Sequence, residues 1–222
     1  MSFVSPALST SLDDALTSAI VSDSLDACGF RDQVLPTGIH SLVEGSRILG
    51  RARTVHFAPS DARADEKRPY DAVITFIDSL NAGDVVVIAT DANPSAAYWG
   101  ELFSAAAIGH GALGVITDGQ VRDVAKIRTL GFPVFSRGRR PIDFRARMHI
   151  VASDERVALD GVKVDLGDLV IADDDGVVVI PRSHEVEVLA TARERARAES
   201  TVLAELLAGS RLRDVWDTYS VL

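Results

Sequence analysis

The chain has 222 residues, 47% hydrophobic and 25% charged, enough for one large domain or two small ones with a real core. Its 23 Lys and Arg against 32 Asp and Glu leave a net charge of −9, which argues against nucleic-acid binding driven by phosphate contacts. A single cysteine, Cys28, excludes an intrachain disulfide and a cysteine-rich zinc site and fits a reducing compartment. With no basic-then-apolar leader and no run of about 18 apolar residues, the expectation is a cytoplasmic protein that engages neither membrane nor nucleic acid.

In chain order, Leu12 to Leu25 reads as an amphipathic helix, with Leu12, Ala15, Leu16, Ala19 and Ile20 on one face. Ser22-Asp23-Ser24-Leu25-Asp26 has the look of a capped start of a second short helix. Ile48 to Phe57 reads as a strand, and the polar stretch Ala58 to Pro69 as a mobile surface loop. A helix over Tyr70 to Leu80 and a buried strand over Val85 to Ala89 follow. Then come a helix around Trp99 to Ile108, a strand over Leu113 to Thr117, a helix from about Val124 to Leu130, and the strand Val134-Phe135-Ser136.

Beyond residue 148 short strands succeed one another: Ile150 to Ser153, Val157 to Leu159, Leu169 to Ala172 and Val177 to Ile180. The last two are joined by a hairpin at Asp173-Asp174-Asp175-Gly176. A long helix from Ser183 to about Ala208 closes the pattern, with Ser183 as its cap. Helices flanking mixed sheets predict a layered α/β domain, and no linker cuts the chain in two.

Two motif-like features have plain explanations. Gly109, Gly111 and Gly114 fit the dinucleotide pattern G-x-G-x-x-G, but here the helix precedes and the strand follows, the reverse of the order that pattern needs; a helix end and tight turn are expected instead. The aspartates at 173 to 175 lack the ligand spacing of a calcium loop. His40, His56, His110, His149 and His184 have no metal-ligand spacing, no Ser elbow is present, and no lysine sits in an apolar strand. Cys28, at a helix-to-loop junction, reads as structural.

The chemistry concentrates at Thr117-Asp118-Gly119-Gln120-Val121-Arg122-Asp123, where a strand gives way to a cation beside a carboxylate. An arginine grips a carboxylate through two parallel hydrogen bonds, which suits Arg122 to an acid substrate. Asp123 is able to ligate a hard cation, and Mg²⁺ needs few protein ligands because it keeps several waters. Taken alone, Arg122 also reads as a surface arginine, Asp123 as a helix N-cap, and Asp118 as a turn residue. Gly100-Glu101-Leu102 opens a helix whose free amides suit an anion. Glu199 alone reads as a solvated helix residue.

Gly100-Glu101-Leu102 together with Gly114 to Asp123 resembles the signature of the superfamily of class II 4-hydroxy-4-methyl-2-oxoglutarate/4-carboxy-4-hydroxy-2-oxoadipate aldolases and RraA-like regulators of RNase E activity. Ser22 to Asp26, Gly50 to Val55, Gly131 to Val134 and Gly167 to Gly176 extend the match along nearly the whole chain. The resemblance implies one α/β domain over residues 1–222, an α-β-β-α sandwich of the RraA-like, swivelling-domain-like fold, with a C-terminal helical extension at about 183–208. It implies homotrimers or hexamers with the site between subunits. Asp123 would hold Mg²⁺ or Mn²⁺; Arg122 and the amides around Gly100, Glu101, Leu102 and Phe103 would hold the pyruvyl group; Glu199 would reach the metal's waters from an adjacent subunit.

The implied activity is cleavage of a 4-hydroxy-2-oxo acid to pyruvate and a keto acid, with Lewis-acid stabilisation of the enolate and oxaloacetate decarboxylation as a side reaction. The competing expectations are a protein-binding regulator of RNase E type and a lyase or hydratase for another keto acid. The extended helix bearing Glu199 favours the lyase. The insert Ser60 to Pro69 and the run Arg137-Gly138-Arg139-Arg140 depart from the aldolase pattern and bear on the far end of the substrate.

Overall fold

A computed structural model describes residues 15–60 and 68–221. Within them the elements run α1 (Ser18–Ala27), β1 (His40–Ser41), β2 (Ile48–Pro59), α2 (Asp71–Asp78), β3 (Asp84–Ala89), β4 (Ala97–Trp99), α3 (Glu101–Gly109), β5 (Gly114–Val121) and α4 (Val124–Leu130). They continue with β6 (Val134–Arg139), β7 (Met148–Ser153), β8 (Val157–Leu159), β9 (Val162–Val164), β10 (Leu169–Asp173), β11 (Gly176–Ile180), α5 (Glu185–Leu207) and α6 (Leu212–Tyr219). The chain divides into two compact units, Asp32–Arg182 and the residues up to Arg31 with those from Ser183 onward.

The first unit is built on a sheet of order β1-β6-β5-β3-β2-β10-β11, with β4 added to β5 and β7 to β2. β2, β3, β5 and β6 are mutually parallel; β10 runs antiparallel to β2 and turns back into β11 through the expected hairpin, pairing Asp173 with Gly176. All residues of β3 are buried, as a strand covered on both faces requires. Its alternate side chains serve two cores. Val86 and Ile88 join the one holding Phe76, Ile77, Ala107 and Ile127 of α2, α3 and α4. Val85, Val87 and Ala89 face the other, with Leu159 and Val162 of the β8–β9 hairpin and Val170 and Val177 of β10 and β11. A half-buried cation is tied into this frame: Arg53 on β2 is bidentate to Asp154 at 2.8 and 2.9 Å and also reaches Asp84 at 3.1 Å.

Several expectations are corrected here. β4 replaces the start of the expected helix: Ala97-Tyr98-Trp99 pairs with β5, and the helix begins only after Gly100. β5 does not end at Asp118-Gly119 but runs on to Val121, because the break in its pairing with β6 between Thr117 and Gln120 is a bulge. β1 and β9, too short for a periodicity, complete the sheet edge and the second hairpin. The glycine run behaves as the turn expected: Gly111 at φ +79° closes α3, its amide on Ile108 and that of Ala112 on Ala107. Of the loop expected over Ala58 to Pro69, Ala58 and Pro59 belong to β2, and residues 61–67 lie outside the described residues.

In the second unit α1 packs on α5, with Asp23 paired to Arg195 at 2.6 Å and the Phe30 ring tilted against His184, centroids 4.3 Å apart. α1 starts at Ser18 behind a Thr17 cap; Leu12 to Asp14 lie outside the described residues. Ser22 to Asp26 is helix interior rather than a new start, since Ser24 satisfies its hydroxyl by donating to the Ile20 carbonyl at 2.7 Å. Ser183 does not cap α5: it sits in a 3₁₀ turn over Arg182–His184, and His184 takes the cap position without a side-chain bond. α6 was not among the expected elements, although Leu212, Val215, Trp216 and Tyr219 repeat at helical spacing; it is fastened to α5 by the Tyr219 hydroxyl on Glu205 at 2.5 Å. Cys28 is a half-buried free thiol at the end of α1. No helix of the described residues is long and apolar enough to cross a membrane.

Candidate active site

The bulge in β5 decides where the Arg-Asp pair is delivered. Asp118, expected as a turn residue, is fully buried and accepts from the amide and hydroxyl of Thr90, both at 2.8 Å, and the Ala92 amide at 2.9 Å. It thereby pins a turn in which Asp91 and Ala92 both have φ +53°. Gly119 follows because a Cβ there would stand 2.6 Å from the Tyr98 ring. Burial pushes the Asp118 carboxyl above its ordinary range despite these donors and the nearby Arg137 charge.

Past the bulge, β5 runs beside β4, and the Arg122 amide donates to the Trp99 carbonyl at 2.9 Å. This sets Gly100 against the pair. A Cβ on Gly100 would lie 2.8 Å from Asp123 Oδ2 and 3.2 Å from Arg122 Cγ. The Gly100 backbone is extended, at φ −165°, so the demand is for space rather than for an unusual conformation. Gly100 has no side chain to cap α3, and the Glu101 amide in its first turn donates instead to Asp123 Oδ2 at 3.4 Å. Trp99 is locked beneath it, its indole donating to Ser104 Oγ at 2.8 Å while that hydroxyl donates to the Gly100 carbonyl.

Asp123 occupies the N-cap position of α4 but does not cap it: its backbone is left-handed at φ +59° and its side chain accepts from no amide of that helix. The carboxylate, 40% exposed, faces Gly100 instead. Arg122 spans two acids, with Nε 3.8 Å from Asp123 Oδ2 and Nη1 3.4 Å from Asp143 Oδ2. Asp143 in turn accepts from the Tyr70 hydroxyl and, at 3.0 Å, from the Arg145 amide. Burial alone would push Asp143 up, but the Tyr70 bond, the Arg145 amide and the Arg122 and Arg145 charges outweigh it and hold the carboxyl below its usual range. Burial, then the bond to Asp143, push the Tyr70 phenol up.

Two cavities meet at this pair. One, of about 260 Å³, is walled by Tyr70, Ile74, Trp99, Phe103 and Phe144. The other, of about 640 Å³, is bordered by Glu101, Lys126, Arg139 and Arg140, with Lys126 on Glu101 at 2.7 Å and Arg140 on the Pro94 carbonyl at 2.7 Å. Arg122, Asp123 and Leu102 border both. The structure thus brings together Gly100, Glu101, Leu102, Phe103, Arg122 and Asp123 as expected from sequence. Glu199 belongs to the other unit, on α5, where it pairs with Arg195 at 2.9 Å. Asp143 and Tyr70 were not foreseen; neither lies in a motif, and only the tertiary fold brings them to Arg122. Among the described residues no cluster of three His, Cys, Asp or Glu side chains is arranged as a metal cage.

Solved structures with the same architecture define the class. An uncharacterised protein from Pseudomonas syringae pv. tomato superposes with a TM-score of 0.84 at 31% identity, covering 99% of both chains. Streptomyces coelicolor RraAS2, described as an unusual member of the RNase ES inhibitor RraA protein family, gives 0.75 at 29% identity over 87% of this chain and 96% of its own. The mixed α/β fold is therefore the RraA-like fold expected from sequence.

The family model described as RraA-like, Aldolase/RraA, matches residues 18–179, and the chain belongs to that family. Protein DlpA of Legionella pneumophila is 29% identical over 91% of this chain, which spans only 32% of DlpA's length. A Halalkalibacterium halodurans protein bearing the name "Putative 4-hydroxy-4-methyl-2-oxoglutarate aldolase" is 33% identical over 79% of this chain and 77% of its own. Relatives thus carry names from both the aldolases and the RNase inhibitors.

Proposed function

We propose that the protein is a divalent-metal-dependent pyruvate aldolase. It would cleave a 4-hydroxy-2-oxo acid such as 4-hydroxy-4-methyl-2-oxoglutarate to pyruvate and a second keto acid, and decarboxylate oxaloacetate on the side. The observation that carries this reading is the half-exposed carboxylate of Asp123, on a left-handed backbone and not capping its own helix, which meets only the long Glu101 amide contact and Arg122 at the start of α3. A hard oxygen donor with room in front of it suits Mg²⁺ or Mn²⁺, with waters and a chelating substrate completing the shell. Such an ion would supply Lewis acidity to the substrate's carboxylate and 2-oxo oxygen.

The chain's own groups do the rest. Arg122 and the amides of Glu101, Leu102 and Phe103 hold the pyruvyl carboxylate and 2-oxo group. When the C3–C4 bond breaks, its electron pair passes to the pyruvyl fragment and the C4 hydroxyl gives up its proton to become a carbonyl; a proton returned to C3 completes pyruvate. Arg122 stabilises the charge that develops on the 2-oxo oxygen. Glu199, from an adjacent subunit of a trimer or hexamer in the cytoplasm, assists the proton movements. Mg²⁺- or Mn²⁺-dependent release of pyruvate from a panel of 4-hydroxy-2-oxo acids varied at C4, abolished by Asp123→Ala, is the expected result. No turnover of any of these or of oxaloacetate sinks the reading.

The kinship to RraAS2 supports a second reading, inhibition of an RNase E-type enzyme by protein contact. It predicts suppression of RNA cleavage that survives Asp123→Ala, which the lyase reading does not.

A further inference from the structure

Two carboxylates compete for Arg122, and the outcome matters to both partners. If the guanidinium closes on Asp123, it occupies the carboxylate that the proposed chemistry needs free and withdraws its own N–H groups from an incoming 2-oxo acid. In the structure it leans the other way, with Asp143 Oδ2 at 3.4 Å from Nη1 and Asp123 Oδ2 at 3.8 Å from Nε. The surroundings of Asp143 explain why. Its carboxylate is fixed on both oxygens, by the Tyr70 hydroxyl on Oδ2 and the Arg145 amide on Oδ1. Its loop is fastened to β4 by the Ala97 amide on the Ile142 carbonyl at 2.7 Å and by the bridge between Ala97 and Asp143. Tyr70 is held edge-on against Phe144, ring centroids 5.6 Å apart. Asp143 is therefore a preset acceptor, whereas Asp123, Arg122 aside, meets only the long Glu101 contact among the described residues.

We propose that Asp143, held by Tyr70, is a positioning residue that keeps Arg122 off Asp123. By engaging Nη1 it leaves the Asp123 carboxylate available to a cation and the remaining N–H groups of Arg122 available to a carboxylate or 2-oxo oxygen. This rests on the reading of Arg122 and Asp123 as a pyruvyl-and-metal half-site. Such supporting partners typically change metal affinity or activity by about 10- to 100-fold when removed.

The test measures Mn²⁺ binding to the otherwise metal-free protein, and KM and kcat for a 4-hydroxy-2-oxo acid, in wild type, Asp143→Asn, Tyr70→Phe, Arg122→Gln and the double variant Arg122→Gln/Asp143→Asn. Asp143→Asn is expected to weaken Mn²⁺ binding and raise KM by about tenfold, with an unchanged melting temperature and a smaller fall in kcat. Tyr70→Phe shifts both the same way by less. In the Arg122→Gln background the Asp143→Asn change should no longer affect Mn²⁺, because no guanidinium remains to collapse on Asp123. A weakening that persists there overturns the proposal, as does an Asp143→Asn variant whose Mn²⁺ affinity and KM stay within about twofold of wild type. A crystal structure of metal-free Asp143→Asn separates this from the lyase reading: Arg122 seated on Asp123 supports the proposal even if no substrate turns over, and an unmoved Arg122 overturns it even if the wild type is an active lyase.

Discussion

Asp118 lies within the β5 bulge and Asp123 just past the end of the same strand, and the fold uses them in opposite ways. Asp118 is fully buried and its oxygens take three donors from the Thr90–Ala92 turn. Asp123 is 40% exposed, leaves the helix behind it uncapped, and adopts a left-handed backbone at φ +59°. An N-capping aspartate is worth about 1 kcal/mol and a left-handed non-glycine residue costs on the order of 1 kcal/mol. The chain therefore gives up stability twice at Asp123 and gains it at Asp118. That contrast between a consumed and an unconsumed hydrogen-bonding capacity separates scaffold from site more sharply than burial or residue type does.

The strongest way to break the contrast is to remove each carboxylate. Asp123→Ala is expected to lower Mg²⁺-dependent pyruvate release by about 10³-fold or more, with a melting temperature close to wild type, because the fold loses only the long Glu101 amide contact and the exposed Arg122 pair. A steady-state assay paired with a thermal melt checks both halves; a large loss of stability would make Asp123 a scaffold residue after all. Asp118→Ala should do the reverse. It leaves three donors at Thr90 and Ala92 without an acceptor, a loss of about 3 kcal/mol or more in urea unfolding, while the fraction that remains folded keeps its kcat.

Gly100→Ala sits between these extremes. The new Cβ meets Asp123 Oδ2 and Arg122 Cγ, not the backbone, and the extended φ tolerates alanine. Activity should fall about 10- to 100-fold through displacement of the pair, with little change in unfolding free energy. Smaller still, Asp123→Gly should raise stability by on the order of 1 kcal/mol by relieving the left-handed strain while abolishing turnover. A destabilised glycine variant would mean that the αL backbone carries no strain at this position.

How far the sequence reveals all this follows the same division. Arg122 and Asp123 are adjacent and lie just past a buried strand, so the pair is visible, but alone they also read as a surface arginine and a helix cap; the resemblance, together with Gly100 and Glu101, gives them their roles. Asp118 could not be read, because its partners Thr90 and Ala92 reach it only across parallel strands, and Asp-Gly in isolation spells a turn. Asp143 fails for a related reason: it follows the arginine run at the end of β6 in a stretch with no periodicity, and its meaning comes from Tyr70, just before α2, and Arg122, just after β5. The buried strand β3 was legible from the run Val85 to Ala89, whereas β1, β4 and β9 owe their strand character to their neighbours rather than to any pattern of their own.

The last difference between the two aspartates concerns protons. Burial raises the Asp118 carboxyl above its ordinary value of 3.8, against the donors of Ala92 and Thr90 and the charge of Arg137. Tyr98, pushed up to about 12 chiefly by burial, stays neutral through the working range and cannot supply the compensating change. A carboxyl raised in the folded state contributes stability that is fully present below its unfolded value and is lost as pH rises through its folded value. Asp118→Asn removes that dependence. The stability deficit of Asp118→Asn relative to wild type should therefore be largest at the acid end, shrink as pH rises from the unfolded towards the folded value of Asp118, and level off above it. Urea unfolding of both proteins at a series of pH values from about 4 to about 7.5 reads this directly. A deficit that grows with pH would mean that the three donors win over burial and that Asp118 is held ionised, as a charge the turn was built to receive.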